Sequence, residues 1–310
     1  MKAMIRLAAV ATSALVALTA CGGGDSGSDD PLAGPTQSGA GGGGSVVVGS
    51  ANFPENVLLG EIYAQALEAK GVTVQKKLNI GAREVIYKSI QSGELSILPE
   101  YNGALLAYID KESKATTTDQ VDAELKQKLP SGLELLTPAA AEDKDSVTVS
   151  KATADKHKLT TIEDLKPVAK DLVIGGPPEF KTRHQGVLGL KSVYGVEFKS
   201  FKSLDVAGPV SVSALKKGDV DAADLFTTDP AISKNGFVTL QDPKNLFSAQ
   251  NVVPLVNTSK VNDTIKTTLN AVSAKLTTQD LLDMNNKMST DKEDADAVAK
   301  EWLQKAGLGG

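Results

Sequence analysis

Residues 46–71 read VVVGSANFPENVLLGEIYAQALEAKG. The β-branched run Val46-Val47-Val48 predicts a short strand, and Pro54 stands where its fixed φ and missing N–H suit the first turn of a helix. Leu58, Leu59, Ile62, Tyr63, Ala66 and Leu67 then recur at helical spacing, and Gly71 ends the run. Val72 to Leu78 alternates apolar and polar residues as a strand does. Arg83 to Gln91 is helical through Val85, Ile86 and Ile90, and Leu95 to Leu98 is a strand again. The order strand, helix, strand, helix, strand implies right-handed βαβ units and a mostly parallel sheet.

The alternation resumes at Val147–Val149. Thr160-Thr161-Ile162-Glu163 offers a capping box, Leu172 to Ile174 a buried strand, and Gln185 to Tyr194 a helix. Pro209 opens a helix that runs to Lys217, and Val220 to Phe226 is another strand. After Val252 the pattern turns helical over Val261–Lys275, Thr278–Lys287 and Glu293–Lys305, with Trp302 as a core anchor. The expected fold is α/β with two lobes, each a mostly parallel sheet flanked by helices. Residues 46–145 with 253–310 make lobe I and residues 146–252 make lobe II, so the chain crosses near Asp145 and again near Val252. Ligands in such sheets bind beyond the carboxyl ends of strands, and a cleft between lobes is a favoured site.

Composition narrows the function. The 310 residues hold one Cys, two His, seven Phe, five Tyr and one Trp. One Cys allows no intramolecular disulfide and no Cys-based zinc cluster, and two His cannot build a multi-histidine metal centre. A net charge of −5 leaves no electrostatic footprint for nucleic acid. The sequence offers no Gly-x-x-x-x-Gly-Lys-[Ser/Thr] phosphate loop and no Gly-x-Ser-x-Gly elbow. Asp219, Asp221 and Asp224 lie in strand context and are expected to face solvent or the lobe boundary. No cofactor and no catalytic chemistry are expected.

Lys2 and Arg6 precede an uncharged apolar run from Leu7 to Leu18, the pattern of a secretory signal too short to span a bilayer. Its end, Leu18-Thr19-Ala20-Cys21, resembles the lipobox of bacterial lipoproteins. That resemblance implies cleavage after residue 20 and a lipid thioether on Cys21. Residues 21–45 are rich in Gly and Ser and predict a flexible tether reaching roughly 25–30 Å. The expected location is extracytoplasmic, anchored to the cell membrane.

Gly49-Ser50-Ala51-Asn52-Phe53-Pro54-Glu55 directly follows the first strand. Ser92-Gly93-Glu94 precedes a strand ending Pro99-Glu100-Tyr101-Asn102-Gly103. Phe180-Lys181-Thr182-Arg183, Tyr194-Gly195 and the run from Gly218 to Asp229 (GDVDAADLFTTD) come later. In this order the motifs resemble the substrate-binding lipoproteins of osmoprotectant (glycine betaine, choline, carnitine) ABC transporters, in the sub-branch with Phe-Pro-Glu in the first motif. The match runs from about Val46 into the C-terminal helices. It implies a periplasmic-binding-protein-like fold of type II that closes about a two-strand hinge. It also implies a monomer that delivers an osmolyte to a membrane permease, with ATP hydrolysed by a separate cytoplasmic subunit.

A quaternary ammonium has no N–H to donate, so a protein surrounds it with aromatic faces. A ligand carboxylate calls for a guanidinium or a set of N–H donors. The resemblance places Tyr101 in the aromatic cage, Arg183 on the carboxylate and Phe226 where a tyrosine is frequent. It also puts Asn52, Asp145, Thr227 and Gln250 along the cleft. The competing structural readings are Tyr101 as a strand-end tyrosine, Phe226 as core, Arg183 as a partner of Glu179 or another surface carboxylate, and Thr227 as a helix cap. His184 reads as a cleft-rim or helix-start residue, and His157 as solvated. A lysine common near Ala51 is missing, Ala104 replaces a frequent hydroxyl, and polar residues stand for tyrosines around Asp145 and Gln250. The implied cage has one or two rings, which favours a polar, larger or less cationic ligand, or weak betaine binding. The alternatives are a binding protein for another polar small molecule and a lipoprotein that uses the fold for a partner surface.

Overall fold

The computed structural model describes residues 45–310; the signal, Cys21 and the tether before residue 45 lie outside the described residues. The first part of the chain runs β1 (Val46–Ala51), α1 (Pro54–Glu68), β2 (Val74–Gly81), α2 (Arg83–Gln91), β3 (Ile97–Tyr101), α3 (Asn102–Ile109), α4 (Thr118–Lys128) and β4 (Leu133–Leu135). The middle part runs β5 (Asp145–Val149), α5 (Lys151–His157), β6 (Val173–Gly176), α6 (Gly189–Tyr194), β7 (Ser200–Ser203), α7 (Pro209–Lys217), β8 (Ala222–Phe226), α8 (Pro230–Asn235) and β9 (Val238–Thr239). β10 (Val252–Asn257) and three helices, α9 (Asp263–Ser273), α10 (Thr278–Asn286) and α11 (Ala295–Lys305), follow.

The strands form two five-stranded sheets, ordered β2-β1-β3-β10-β4 and β7-β6-β8-β5-β9. Each sheet has one strand reversed: β10 runs antiparallel to β3 and β4, and β5 antiparallel to β8 and β9. In both cases the reversed strand is the one the chain enters on arriving from the other sheet. The two crossing segments pair with each other: Val252 N donates to Ala141 O at 3.0 Å and Asp143 N to Gln250 O at 3.1 Å. Glu142 and Asn251 form an antiparallel bridge between those bonds. The crossings are thus a two-stranded ribbon rather than two loose loops.

The helices α1, α9, α10 and α11 cover one face of the first sheet. Leu58, Leu59 and Ile62 of α1 pack with Leu269, Leu281, Val298 and Trp302 in one buried cluster under β1 and β10. Each fully buried Leu or Ile contributes about 1.5–3 kcal/mol, so this return of the C-terminal helices fixes the first sheet's framework. The second sheet has its own core around Val147, Ile174, Phe180, Leu190 and Tyr194.

Three local readings change. β10 is a strand where the sequence pattern after Val252 offers only helices; Pro254 in its middle ordinarily argues against an inner strand, and it stands opposite Pro99 of β3 in the ladder. The helix expected from Gln185 begins only at Gly189. Gln185 and Gly186 have non-helical backbone angles, and Gly186 passes so close to the Phe180 carbonyl that a Cβ there would stand 2.1 Å from its oxygen. The capping box lies one residue later, with Thr161 as cap and Asp164 answering it. Of the three aspartates expected to face solvent or the lobe boundary, Asp224 is fully buried on β8. Asp221 accepts from Val173 N at 2.8 Å, and Asp219 is exposed. Among the described residues, no helix is long and apolar enough to cross a membrane.

Candidate functional site

Asn56, in the first turn of α1, ties two strand ends together. Its Oδ1 accepts from Ala51 N at 2.7 Å, and its Nδ2 donates to Pro99 O at 3.1 Å. This brings the carboxyl ends of β1 and β3 side by side at the mouth of an open cavity. The starts of α2 and α3, the end of β8, the loops after β6 and β7, and both crossing segments complete the wall. The site therefore sits where open α/β sheets place ligands.

Three rings meet in it. Phe53, directly after β1, lies 6.0 Å from Tyr101 and 4.9 Å from Phe226, with the ring planes tilted by 31° and 53°. Asp145 is the register partner of Phe226 on the neighbouring strand, so a carboxyl and an aromatic ring stand together at the sheet end.

Behind the rings is a buried polar network. Tyr101 Oη donates to Glu55 Oε1 at 2.7 Å, while Thr228 Oγ1 and Asn285 Nδ2 both donate to Glu55 Oε2 at 2.6 Å. One carboxylate of α1 thus collects donors from the ends of β3 and β8 and from α10. Asp143 beside it accepts from Thr227 Oγ1 at 3.1 Å and Thr228 N at 3.0 Å. Burial, and then the Glu55 charge, push Asp143 well above the usual carboxylate range despite these bonds. Burial likewise raises the Tyr101 phenol, and the charges of Glu55 and Asp143 raise it further.

Both arginines of the cavity are already engaged. Arg83 forks onto the buried Glu100, with Nε at 2.9 Å from Oε1 and Nη2 at 2.9 Å from Oε2. Arg183 forks onto Glu84, Nε to Oε1 at 3.0 Å and Nη2 to Oε2 at 2.9 Å. Burial alone would raise the Glu84 carboxyl, but the hydrogen bonds and charge of Arg183 outweigh it and hold the group below its ordinary value. Asp145 moves the other way. Its burial outweighs the nearby Arg183 and Arg83 and lifts it above the ordinary value.

Of the residues named from sequence, Asn52, Tyr101, Asp145, Arg183, Phe226 and Gln250 line this cavity. Thr227 does not: its hydroxyl donates to Asp143 and accepts Lys144 N at 2.9 Å, while Asp229 itself caps α8. Arg183 pairs with Glu84 rather than Glu179. Sequence reasoning missed Phe53, Glu55, Arg83, Glu100 and Asp143. Phe53 and Glu55 stood inside the quoted Phe-Pro-Glu motif, and Glu100 stood beside Tyr101. Nothing local marked Asp143. With Phe53 the cavity holds three rings, more than the one or two expected. Among the described residues, no cluster of three or more His, Cys, Asp or Glu side chains is arranged to hold a metal ion.

The family model for the substrate-binding domain of the ABC-type glycine betaine transport system matches residues 44–305. A glycine betaine-binding protein, YehZ of Escherichia coli, is 30% identical over 277 residues, which cover 84% of this chain and 90% of that protein. An ergothioneine transport permease and binding protein of Helicobacter pylori, EgtU, is 25% identical over 85% of this chain and 48% of its own length. Among solved structures, the ligand-free YehZ aligns at 29% identity and TM-score 0.58 over 85% of this chain and 99% of its own. A glycine betaine/carnitine/choline ABC transporter structure shares the fold at 22% identity and TM-score 0.65, covering 85% of this chain and 99% of that one.

Proposed function

Since the chain belongs to the substrate-binding domains of ABC-type glycine betaine transport systems, we propose that it captures a quaternary-ammonium or betaine-like osmolyte between its two sheets and hands it to a membrane permease. The observation that carries this reading is the meeting of Phe53, Tyr101 and Phe226 beside Asp145. A cation without N–H groups gains about 0.5–2 kcal/mol from each ring it touches. A carboxyl at the same strand end adds attraction once the cation favours its ionised form.

The work is binding without covalent chemistry. Asn52, Tyr101, Asp145, Phe226 and Gln250 are the proposed contact residues, with Phe53 added; Thr227 supports the crossing ribbon through Asp143. The ribbon at residues 141–143 and 250–252 is the proposed hinge, dividing the lobes at residues 145–146 and 252–253. A ligand touching both sheets favours the closed arrangement by its extra contacts there. We further assign an extracytoplasmic location, a lipid anchor at Cys21 with residues 21–45 as tether, and a monomeric state. The lipobox pattern supports the anchor.

Calorimetric titration with choline, glycine betaine and carnitine tests the reading. Saturable binding of at least one of them with Kd below about 100 μM is expected. Absence of binding by all three at millimolar concentration overturns it.

A further inference from the structure

We propose that Glu84 is a specificity-determining residue: by holding Arg183 in a two-point ion pair it withholds the guanidinium a ligand carboxylate would need, so the cavity prefers quaternary-ammonium cations that lack a carboxylate. The preference rests on the osmolyte reading above; the withholding of Arg183 does not.

The cavity lining contains two cationic side chains, Arg83 and Arg183, and neither lysine nor histidine. Each guanidinium meets a carboxylate of the chain at two points. Each fork takes the Nε–Nη2 edge, one of the two edges on which a guanidinium grips a carboxylate, and sets a negative charge directly against the cation. The Arg83 pair is deep, with the two side chains 12% and 3% exposed, and belongs to the framework. The Arg183 pair is different. Glu84 is 40% exposed and opens α2, against the first sheet, whereas Arg183 lies in the loop after β6 of the second sheet. Glu84 therefore reaches across the cleft to occupy the one guanidinium that a ligand entering from the mouth could use.

The remaining lining adds acid rather than base: Asp143, Asp145 and Glu179 face the same space. A zwitterionic ligand would bring its own carboxylate among these groups and would have to displace Glu84 to find a cation. A ligand ending in a hydroxyl meets neither cost. Asp145 and the buried Asp224 stand near Arg183 as other acidic neighbours, and burial raises both. They compete for the guanidinium less well than Glu84, which Arg183 keeps ionised.

The test uses the full folded chain and the variant Glu84→Gln, which keeps shape and removes charge. With 15N-labelled arginine, the Arg183 Nε–H signal is identified by its loss in Arg183→Lys, and sodium acetate at pH 7 is the probe. A saturable acetate shift of that signal in Glu84→Gln and none in the parent protein is the expected result. No shift in the variant, or equal shifts in both proteins, overturns the assignment of Glu84. In parallel calorimetry, the affinity ratio of glycine betaine to choline is expected to rise at least tenfold in Glu84→Gln; an unchanged ratio, with both ligands binding, overturns the proposed preference. If the acetate result holds and neither protein binds a quaternary ammonium, the osmolyte reading fails while Arg183's masking by Glu84 stands.

Discussion

The rings of Phe53 and Phe226 stand 4.9 Å apart, one at the carboxyl end of β1 and the other closing β8. They come from different sheets, so the aromatic surface of the cavity is whole only when the sheets are together. Phe226→Leu keeps apolar bulk and removes the π face. It is expected to weaken choline binding about 2- to 30-fold, the equivalent of one ring contact. A titration in which the variant matches the parent would show that the ring touches no cation.

Thr228 links the sheets from behind the rings, since its hydroxyl donates to Glu55 Oε2 at 2.6 Å. Thr228→Val leaves a buried carboxylate with one donor fewer. Loss of a hydrogen bond to a charged group costs about 1.5–3 kcal/mol. Urea unfolding is expected to show a loss in that range, and a change below 0.5 kcal/mol would mean that Tyr101 and Asn285 suffice for Glu55.

Asp143 gives the protein a pH dependence of definite sign. Burial and the Glu55 charge raise its folded pKa well above the ordinary value of 3.8, so the native state binds more protons than the unfolded state above that value. This group's contribution to stability is therefore full below about pH 4 and declines as pH rises through the raised pKa. Asp143→Asn should flatten that decline. Unfolding measured from pH 4 to 8 checks it, and an unchanged slope in the variant would mean that Asp143 is ionised throughout.

Gly103 lets α3 pass close to the returning crossing segment. A Cβ there would stand 2.1 Å from the Ala249 carbonyl oxygen. Gly103→Ala must push the backbone at residue 249 aside and is expected to cost about 1–3 kcal/mol, as overpacking does. Because residue 250 lines the cavity, ligand affinity should fall as well. Unaltered stability would show that the crossing ribbon yields freely.

The first half of the fold could be read from sequence because its signals are local. The apolar positions of α1 recur at helical spacing, Pro54 marks its start, and the runs over β1 and β6 need no distant partner to be recognised. β10 could not be read this way, since Pro254 looks like a strand breaker and is accommodated only because its ring nitrogen turns away from β3, toward the end of β4, where its carbonyl accepts Leu136 N at 3.0 Å. The non-helical Gln185–Gly186 step runs against the Phe180 carbonyl, a contact that no periodicity reveals. The site divides in the same manner. Tyr101 and Phe226 end strands inside recognisable motifs, and the family resemblance carried by those motifs put them in the cleft. The partner of Arg183 is Glu84, 99 residues earlier, and only the folded chain brings them together. Phe53 was in plain view, but its ring's approach to Phe226 depends on the second sheet.

On the proposed function, the three rings recognise positive charge rather than shape. The direct measurement is a calorimetric comparison of choline with 3,3-dimethyl-1-butanol, its uncharged analogue with carbon in place of nitrogen. Cation–π attraction over two or three rings predicts at least tenfold tighter binding of choline, about 1.4 kcal/mol or more. Equal affinities for the two compounds would mean that the rings select shape and not charge.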